Sequence, residues 1–270
     1  PERVGMELKK TMEQAQKPSR FFVFLQKVDW LKYHFKEVDN LIGVPQNPNH
    51  HPEGDVFIHT MHSLDEATDW FTRICIVCHD LGKATTTTID EVPYTRDNPY
   101  FNNMNLLHKI KSIGHEEVGI PVTRDMLTRI HFADKKTIRK IETMVKLHMI
   151  RTGVSEKVVR RTLRELTARE LTYDQLVEVC RCDLSGRPPL AGYTPDIGQH
   201  RAKQLLAENA MTPIVTGDVL ITEGYGSGPL LGELVKKCLE WQDRGTLNRG
   251  NWLQMIKQYK PKEEVKNGDT

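Results

Sequence analysis

The chain has 270 residues, with Lys+Arg 38 against Asp+Glu 36 and a formal net charge of +2. That balance excludes a nucleic-acid binder working by bulk charge and an acidic disordered chain. Hydrophobic residues at 38% and aromatics at 7% allow a modest core, suited to an elongated helical body, and no apolar run approaches bilayer-spanning length.

Most segments repeat at helical period, and alternating β-branched runs closed by Asn-Gly or Asp-Gly are nearly absent. The pattern predicts helices over Arg3–Met12 and Phe21–Lys32, then a Pro/Asn/His-rich loop from Gly43 to Gly54. Helices over Val56–Thr68 and Trp70–Leu81 are expected to pack on each other. Thr85–Asn105 is polar, with two Pro and several Asn, and is predicted to be an irregular loop. A helix is expected from about Leu107 through His115 to Ile130. Asp134 is placed to cap the next helix, to about Ile150, with Ile138, Ile141, Val145 and His148 as its inner stripe. Helices over Lys157–Leu166 and Thr172–Leu184 follow, the second with Leu176, Val179, Cys180 and Asp183 on one face. A soft boundary falls at Gly186–Pro195. Asp196–Asn209, Thr216–Glu223 and Pro229–Arg244 then make a smaller helical tail before a charged, frayed terminus.

The five cysteines are an odd number, and four lie in mostly apolar runs, Cys75 with Cys78 and Cys180 with Cys182. They are read as small buried hydrophobes in a reducing, cytoplasmic setting rather than as a disulfide scaffold or zinc site. The charged N-terminus is not a secretory signal, and without an initiator Met the chain is expected to be a piece of something longer.

The chemical signal is His79-Asp80-Leu-Gly-Lys83 at the end of an apolar helix. Burying an imidazole beside a carboxylate is costly without a partner, and a divalent cation is a suitable one. His59 lies on the preceding helix, His115 and His148 on or near later apolar faces, and Asp183 on another inner face. A bundle can aim all six at one point. Imidazole with carboxylate suits Ni, Mn, Co, Fe or Zn better than Ca, with Mg as a further candidate. Asp80 could bridge two ions, and such a pair would clamp a phosphoryl group. Lys83 and Arg187 are candidate phosphate ligands.

The order His59…His79-Asp80…Asp183 resembles the HD superfamily of metal-dependent phosphohydrolases. The match is closer to the C-terminal body of bacterial CCA-adding tRNA nucleotidyltransferases. It is carried by Glu2-Arg-Val with Glu7, Pro18-Ser-Arg-Phe-Phe22, Phe35-Lys-Glu-Val-Asp39, Leu41-Ile-Gly-Val-Pro45 and His51-Pro-Glu-Gly-Asp55. It continues through His59-Thr60, Cys78-His-Asp-Leu-Gly-Lys83, Gly114-His115, Asp183-Leu-Ser-Gly-Arg187, Thr216-Gly-Asp218 and Gly228-Pro-Leu-Leu-Gly232. The resemblance implies an all-α HD helical bundle followed by a smaller helical tail. Its divisions would be a neck at 1–50, the HD domain at 51–190, the tail at 191–258 and a flexible end at 259–270.

That family's head, a Gly-Ser turn followed by an Asp-x-Asp pair, is not found, so CCA addition by this chain alone is not expected. What the resemblance implies is 2′,3′-cyclic phosphodiesterase, 2′-nucleotidase and phosphatase activity, with tRNA contact by body and tail. The metal ligands would be His59, His79, Asp80, His115, His148 and Asp183, and the catalytic residues Asp80 and Lys83. The alternatives are a non-catalytic tRNA-gripping body, or an HD subunit partnering a separate nucleotidyltransferase. The stretch between Asp80 and His115 is longer than the family's, so Ala84–Asn105 is expected to be an inserted lid, and His62 is not assigned as a ligand.

The remaining features carry plainer readings. Asp55 is expected to cap a helix, with support of His59 by Glu53 or Asp55 as the alternative. His50 and His51 are expected in a loop. Met104, Met126, Met144 and Met149 are expected to fill the core. Lys135-Lys136 and Arg160-Arg161 with Arg164 are read as solvated faces, with an RNA phosphate track as the alternative. Gly224-Tyr-Gly-Ser-Gly228 is read as a helix-start turn.

Overall fold

The computed structural model of the chain describes residues 2–95, 109–150, 152–187, 192–208 and 211–259. The architecture is helical apart from one small sheet, and the chain divides into two compact units. The first comprises Pro1–Gly153 with Glu165–Gln199, the second Val154–Arg164 with His200–Thr270. Among the described residues no helix is long and apolar enough to cross a membrane.

In the first unit, α1 (Glu2–Gln14), α2 (Ser19–Lys27), α3 (Leu31–His34) and α4 (Lys36–Asp39) precede the bundle of α5 (Val56–Glu66) and α6 (Trp70–His79). A short α7 (Lys83–Thr86) leads into β1 (Thr87–Ile89), β2 (Val92–Pro93) and β3 (Ile110–Ser112). After these come α8 (His115–Arg129), α9 (Lys135–Leu147) and, beyond α10 (Glu156–Thr167), α11 (Tyr173–Ser185). Helix α6 is the central element. It packs against α1, α5, α8, α9 and α11, and Ile74, Ile76, Val77 and Cys78 on it are fully buried. A helix apolar all round needs neighbours all round.

Starts and stops follow local chemistry. Asp69 accepts from the Phe71 and Thr72 N–H groups to cap α6, and Asp134 accepts from Thr137 to cap α9. Thr172 and Gln175 form a capping box on α11. The inner stripe of α9, Ile138, Ile141, Val145 and His148, is buried throughout.

The second unit has its own core of Val215, Leu220, Leu234, Cys238, Leu247 and Ile256. It is built from the part of α10 up to Arg164 with α12 (Gln199–Ala207), α13 (Gly217–Thr222), α14 (Pro229–Asp243) and α15 (Trp252–Gln258). Gly228 precedes α14, whose first residue is Pro229, so that glycine-rich loop is a helix-start turn.

Four expectations need correction. The helix expected over Phe21–Lys32 is broken. Asp29 takes φ 60, and the N–H groups of Asp29 and Trp30 donate to Gln26 and Leu25, a Schellman ending of α2. Thr85–Asn105 is not wholly irregular. Thr87–Pro93 is a hairpin turning through Asp90 and Glu91, both at positive φ, and β1 also pairs antiparallel with β3. The remainder of that expected lid, from residue 96, lies outside the described residues, as do Met104 and the terminus beyond 259. The helix expected from Leu107 begins only at His115, after β3 and a left-handed Gly114. Met149 is not core, being 41% exposed, whereas Met126 and Met144 are buried.

All five cysteines are free and buried. Burial pushes the Cys238 thiol up to about 11, and among the described residues no cysteine joins a group of possible metal ligands.

Candidate metal centre

Asp55 begins the site. Its carboxylate accepts from the Ile58 N–H, starting α5, and from the Gly43 N–H, tying the preceding loop down. One turn later on α5, His59 enters the core. Helix α6 delivers His79 as its last residue and Asp80 as its C-cap. His115 is the first residue of α8, His148 caps the end of α9, and Asp183 lies in the last turn of α11. The site is therefore assembled from helix ends, where side chains can converge beside backbone groups left free by the helix.

Gly82 makes the convergence possible. A Cβ there would meet the His115 carbonyl oxygen at 2.1 Å and the Gly119 nitrogen at 2.8 Å, so α8 approaches the His79–Asp80 turn over bare backbone. Gly82→Ala is expected to force these backbones apart. The cost is about 1–3 kcal/mol of overpacking, read as a lower denaturant midpoint together with weaker metal retention.

The six side chains named from the sequence meet. His59 Nε2 lies 2.9 Å from Asp183 Oδ1, and His79 Nε2 lies 3.1 Å from Asp80 Oδ2 and 3.8 Å from Asp183 Oδ1. His115 Nε2 is 3.3 Å and His148 Nε2 3.8 Å from Asp80 Oδ1. Among the described residues three groups could hold an ion; beside His51–Glu53–His59, two are drawn wholly from these six, His59–His79–Asp80 and Asp80–His115–His148, with Asp80 in both. All six are buried, and all belong to the first unit.

The far nitrogens fix the tautomers. Nδ1–H of His79 donates to the Ile76 carbonyl at 2.6 Å, that of His115 to Ser112 at 2.7 Å, and that of His148 to Val145 at 2.6 Å. A carbonyl can only accept, so each neutral ring carries its lone pair on Nε2, facing the shared centre. His59 Nδ1 lies 2.7 Å from Glu53 Oε1, which also accepts from His51 Nδ1 at 2.9 Å. His51 is thus a loop residue, as expected, but one fixed against the site, its ring edge-on to His59.

Burial opposes charge on Asp80, yet the His79 and Lys83 charges hold its carboxyl well below the usual range. Asp183 is likewise held low, against burial, by the His59 hydrogen bond and the His79 charge. Burial pulls His59 down, but Asp183 and Glu53 outweigh it and raise the imidazole. His115 is raised by Asp80 against the same opposition. His148, desolvated and facing His79, is pushed down to about 3.

The centre fits a cation. His79 Nε2 and both Asp80 oxygens are buried without a hydrogen bond of good geometry, a costly arrangement for polar atoms. Imidazole nitrogens and carboxylate oxygens together form a donor set for a first-row divalent transition metal.

Above the cluster opens a cavity of about 710 Å³. Lys83 and Arg187 line it beside Asp80 and Asp183. Lys83 is buried, 2.8 Å from Asp80 Oδ2, and donates to Gln46 Oε1. Arg187 stands 3.6 Å from Asp183, and its Nε is buried without a partner. The Lys83–Gln46 bond is invisible in the sequence, because it joins a loop to a helix with no local signal. Glu53 carries only an ambiguous signal, sharing a short stretch with the capping Asp55.

The chain is similar to proteins called "Multifunctional CCA protein". That of Laribacter hongkongensis is 36% identical over 196 residues, 70% of this chain and 44% of the relative. That of Dechloromonas aromatica is 34% identical over 194 residues, 69% and 42%. That of Polaromonas naphthalenivorans is 30% identical over 250 residues, 88% and 53%. The chain spans about half the length of the curated relatives it matches. No family model and no solved structure matches it.

Proposed function

We propose that the chain is an HD-type metal-dependent phosphohydrolase acting on 2′,3′-cyclic phosphates and phosphomonoesters of nucleotides or RNA 3′ ends. The observation that carries this reading is the sharing of Asp80 between two buried ligand groups. His59, His79, Asp80, Asp183, His115 and His148 would hold one or two divalent ions. Such ions, when bound, polarise phosphoryl oxygens and make water acidic enough to act as a nucleophile near neutral pH.

The chain's own residues do the rest. Lys83 Nζ and the Arg187 guanidinium offer positive charge to the phosphoryl oxygens from the cavity wall, beside the carboxylates that hold the cluster together. The burial of the imidazoles keeps bulk water from screening these charges. In the net reaction water adds to phosphorus, one P–O ester bond breaks, and the departing ribose oxygen takes a proton. Purified chain is to be assayed on 2′,3′-cyclic AMP and 2′- and 3′-AMP with Mn, Ni, Co and Mg. Metal-dependent turnover is expected, and no turnover with any ion would overturn the reading.

A second reading, an RNA-gripping body, is favoured by one feature. Lys135, Lys136, Arg139, Lys140 and Arg169 surround a cavity of about 300 Å³ on the first unit, with Glu170 the one acid in its wall. Lys136 and Lys140 pair with Glu170. This patch is more cationic than the +2 of the whole chain. Reversing Lys135 and Arg139 to Glu is expected to weaken RNA binding and to lower its salt slope by about 1 for each RNA phosphate no longer neutralised. An unchanged slope in salt titrations would remove the patch from the interface.

A further inference from the structure

The cavity over the Asp80 cluster is charged at its floor, and at its mouth two aliphatic side chains stand among polar ones. Ile113 and Met149 line it and are 79% and 41% exposed, and Ile110 adds a buried apolar wall. The chain runs from Ile113 through Gly114 directly into His115, and Met149 directly follows His148. The His115 and His148 rings lie 5.2 Å apart between centroids. Both aliphatic side chains thus belong to stretches of chain that run directly into the cluster and line the same cavity. Gly114, at φ 75, makes the turn that separates Ile113 from α8 and leaves it outside the core.

A single exposed aliphatic needs no explanation, but two lining one charged cavity offer apolar contact beside the reacting end. The cavity volume falls within the roughly 300–1,000 Å³ of small-molecule sites, which leaves room for more than a phosphoryl group. A flat heterocycle suits the rim better than an acyl chain. Its faces can lie on Ile113 and Met149 while its polar edges stay hydrated, whereas a chain would leave most of its length in water. Lys83, Lys111 and Arg187 supply cations on the same cavity for the phosphate.

We propose that Ile113 and Met149 seat the nucleobase of the substrate, so that the site selects nucleoside phosphates over base-free phosphate esters. The selection rests on the hydrolase reading above. The seat itself does not, because it would bind a nucleotide whether or not turnover follows.

The test compares wild type with Ile113→Ser, Met149→Ser and the double variant. The first readout is kcat/KM for 2′,3′-cyclic AMP divided by kcat/KM for glycerol 1,2-cyclic phosphate, which has the same reacting ring and no base. The second is equilibrium binding of a fluorescent adenosine monophosphate. Both are expected to fall about tenfold in each single variant, equivalent to about 1.4 kcal/mol, and further in the double. A ratio unaltered by the substitutions would overturn the seat while leaving the hydrolase intact. If wild type hydrolyses neither ester, the hydrolase reading fails and binding alone decides. Weaker nucleotide binding by the variants then supports the seat, and equal binding, or none by wild type, overturns it.

Discussion

Under the proposed function, Asp80→Asn is expected to abolish turnover while leaving a folded chain. The substitution keeps the shape of the side chain but removes the charge shared by both ligand groups. An amide cannot bridge two cations or balance the imidazoles and ammonium around it. Losing several kcal/mol of charge stabilisation lowers the rate by about a thousandfold or more. The variant also leaves Lys83 beside an uncharged partner, although Gln46 still accepts from its Nζ. A lower melting temperature should therefore accompany the lost activity, since breaking a buried pair commonly costs about 3–5 kcal/mol. Near-native far-ultraviolet circular dichroism with background turnover is the expected pair of results. Turnover within about tenfold of wild type, where one decade is 1.36 kcal/mol, would show that Asp80 does not hold the reaction together.

The second large effect is expected at Glu53, which reaches the centre through His59. Glu53 Oε1 takes up both His51 and His59. Burial resists charge on this carboxyl, but the two imidazole hydrogen bonds overcome that and hold it far below the usual range. Glu53→Gln keeps the volume, but its amide can present NH₂ to a ring nitrogen and permit the other tautomer. His59 Nδ1 would then lose the carboxylate that orients the ring toward the centre. Support of this kind is worth about 10–100-fold in metal affinity. Metal competition titrations should show that loss, with partial recovery of activity at high metal concentration. A purely structural Glu53 would lower stability with no change in metal affinity.

The bundle is readable in the sequence because its helices announce themselves. Asp69, Asp134 and Thr172 each precede a periodic apolar run, and each caps a helix. The buried stripe of α9 follows from its spacing alone. The six residues of the centre are readable because ionisable groups in apolar helices are conspicuous.

What escapes a sequence reading is encoded in residues that break the usual association between type and conformation. The hairpin at Thr87–Pro93 turns through Asp90-Glu91 in the left-handed region, where Asn-Gly would have marked it. Just past the ends of α2 and α8 stand Asp29 and His131, both at positive φ, where glycine is the familiar stop. Helix α15 is absent from the predicted elements, although Trp252 and Ile256 lie one turn apart on it. The Lys83–Gln46 bond depends on long-range closure, which no local pattern records.

Metal content measured on the purified chain tests the central claim most directly. After exhaustive dialysis, elemental analysis of wild type alongside Asp80→Asn and Asp183→Ala is expected to find stoichiometric divalent transition metal in wild type. Each variant should show a large loss. Wild type that neither retains nor takes up such an ion, or variants that hold as much as wild type, would contradict the account.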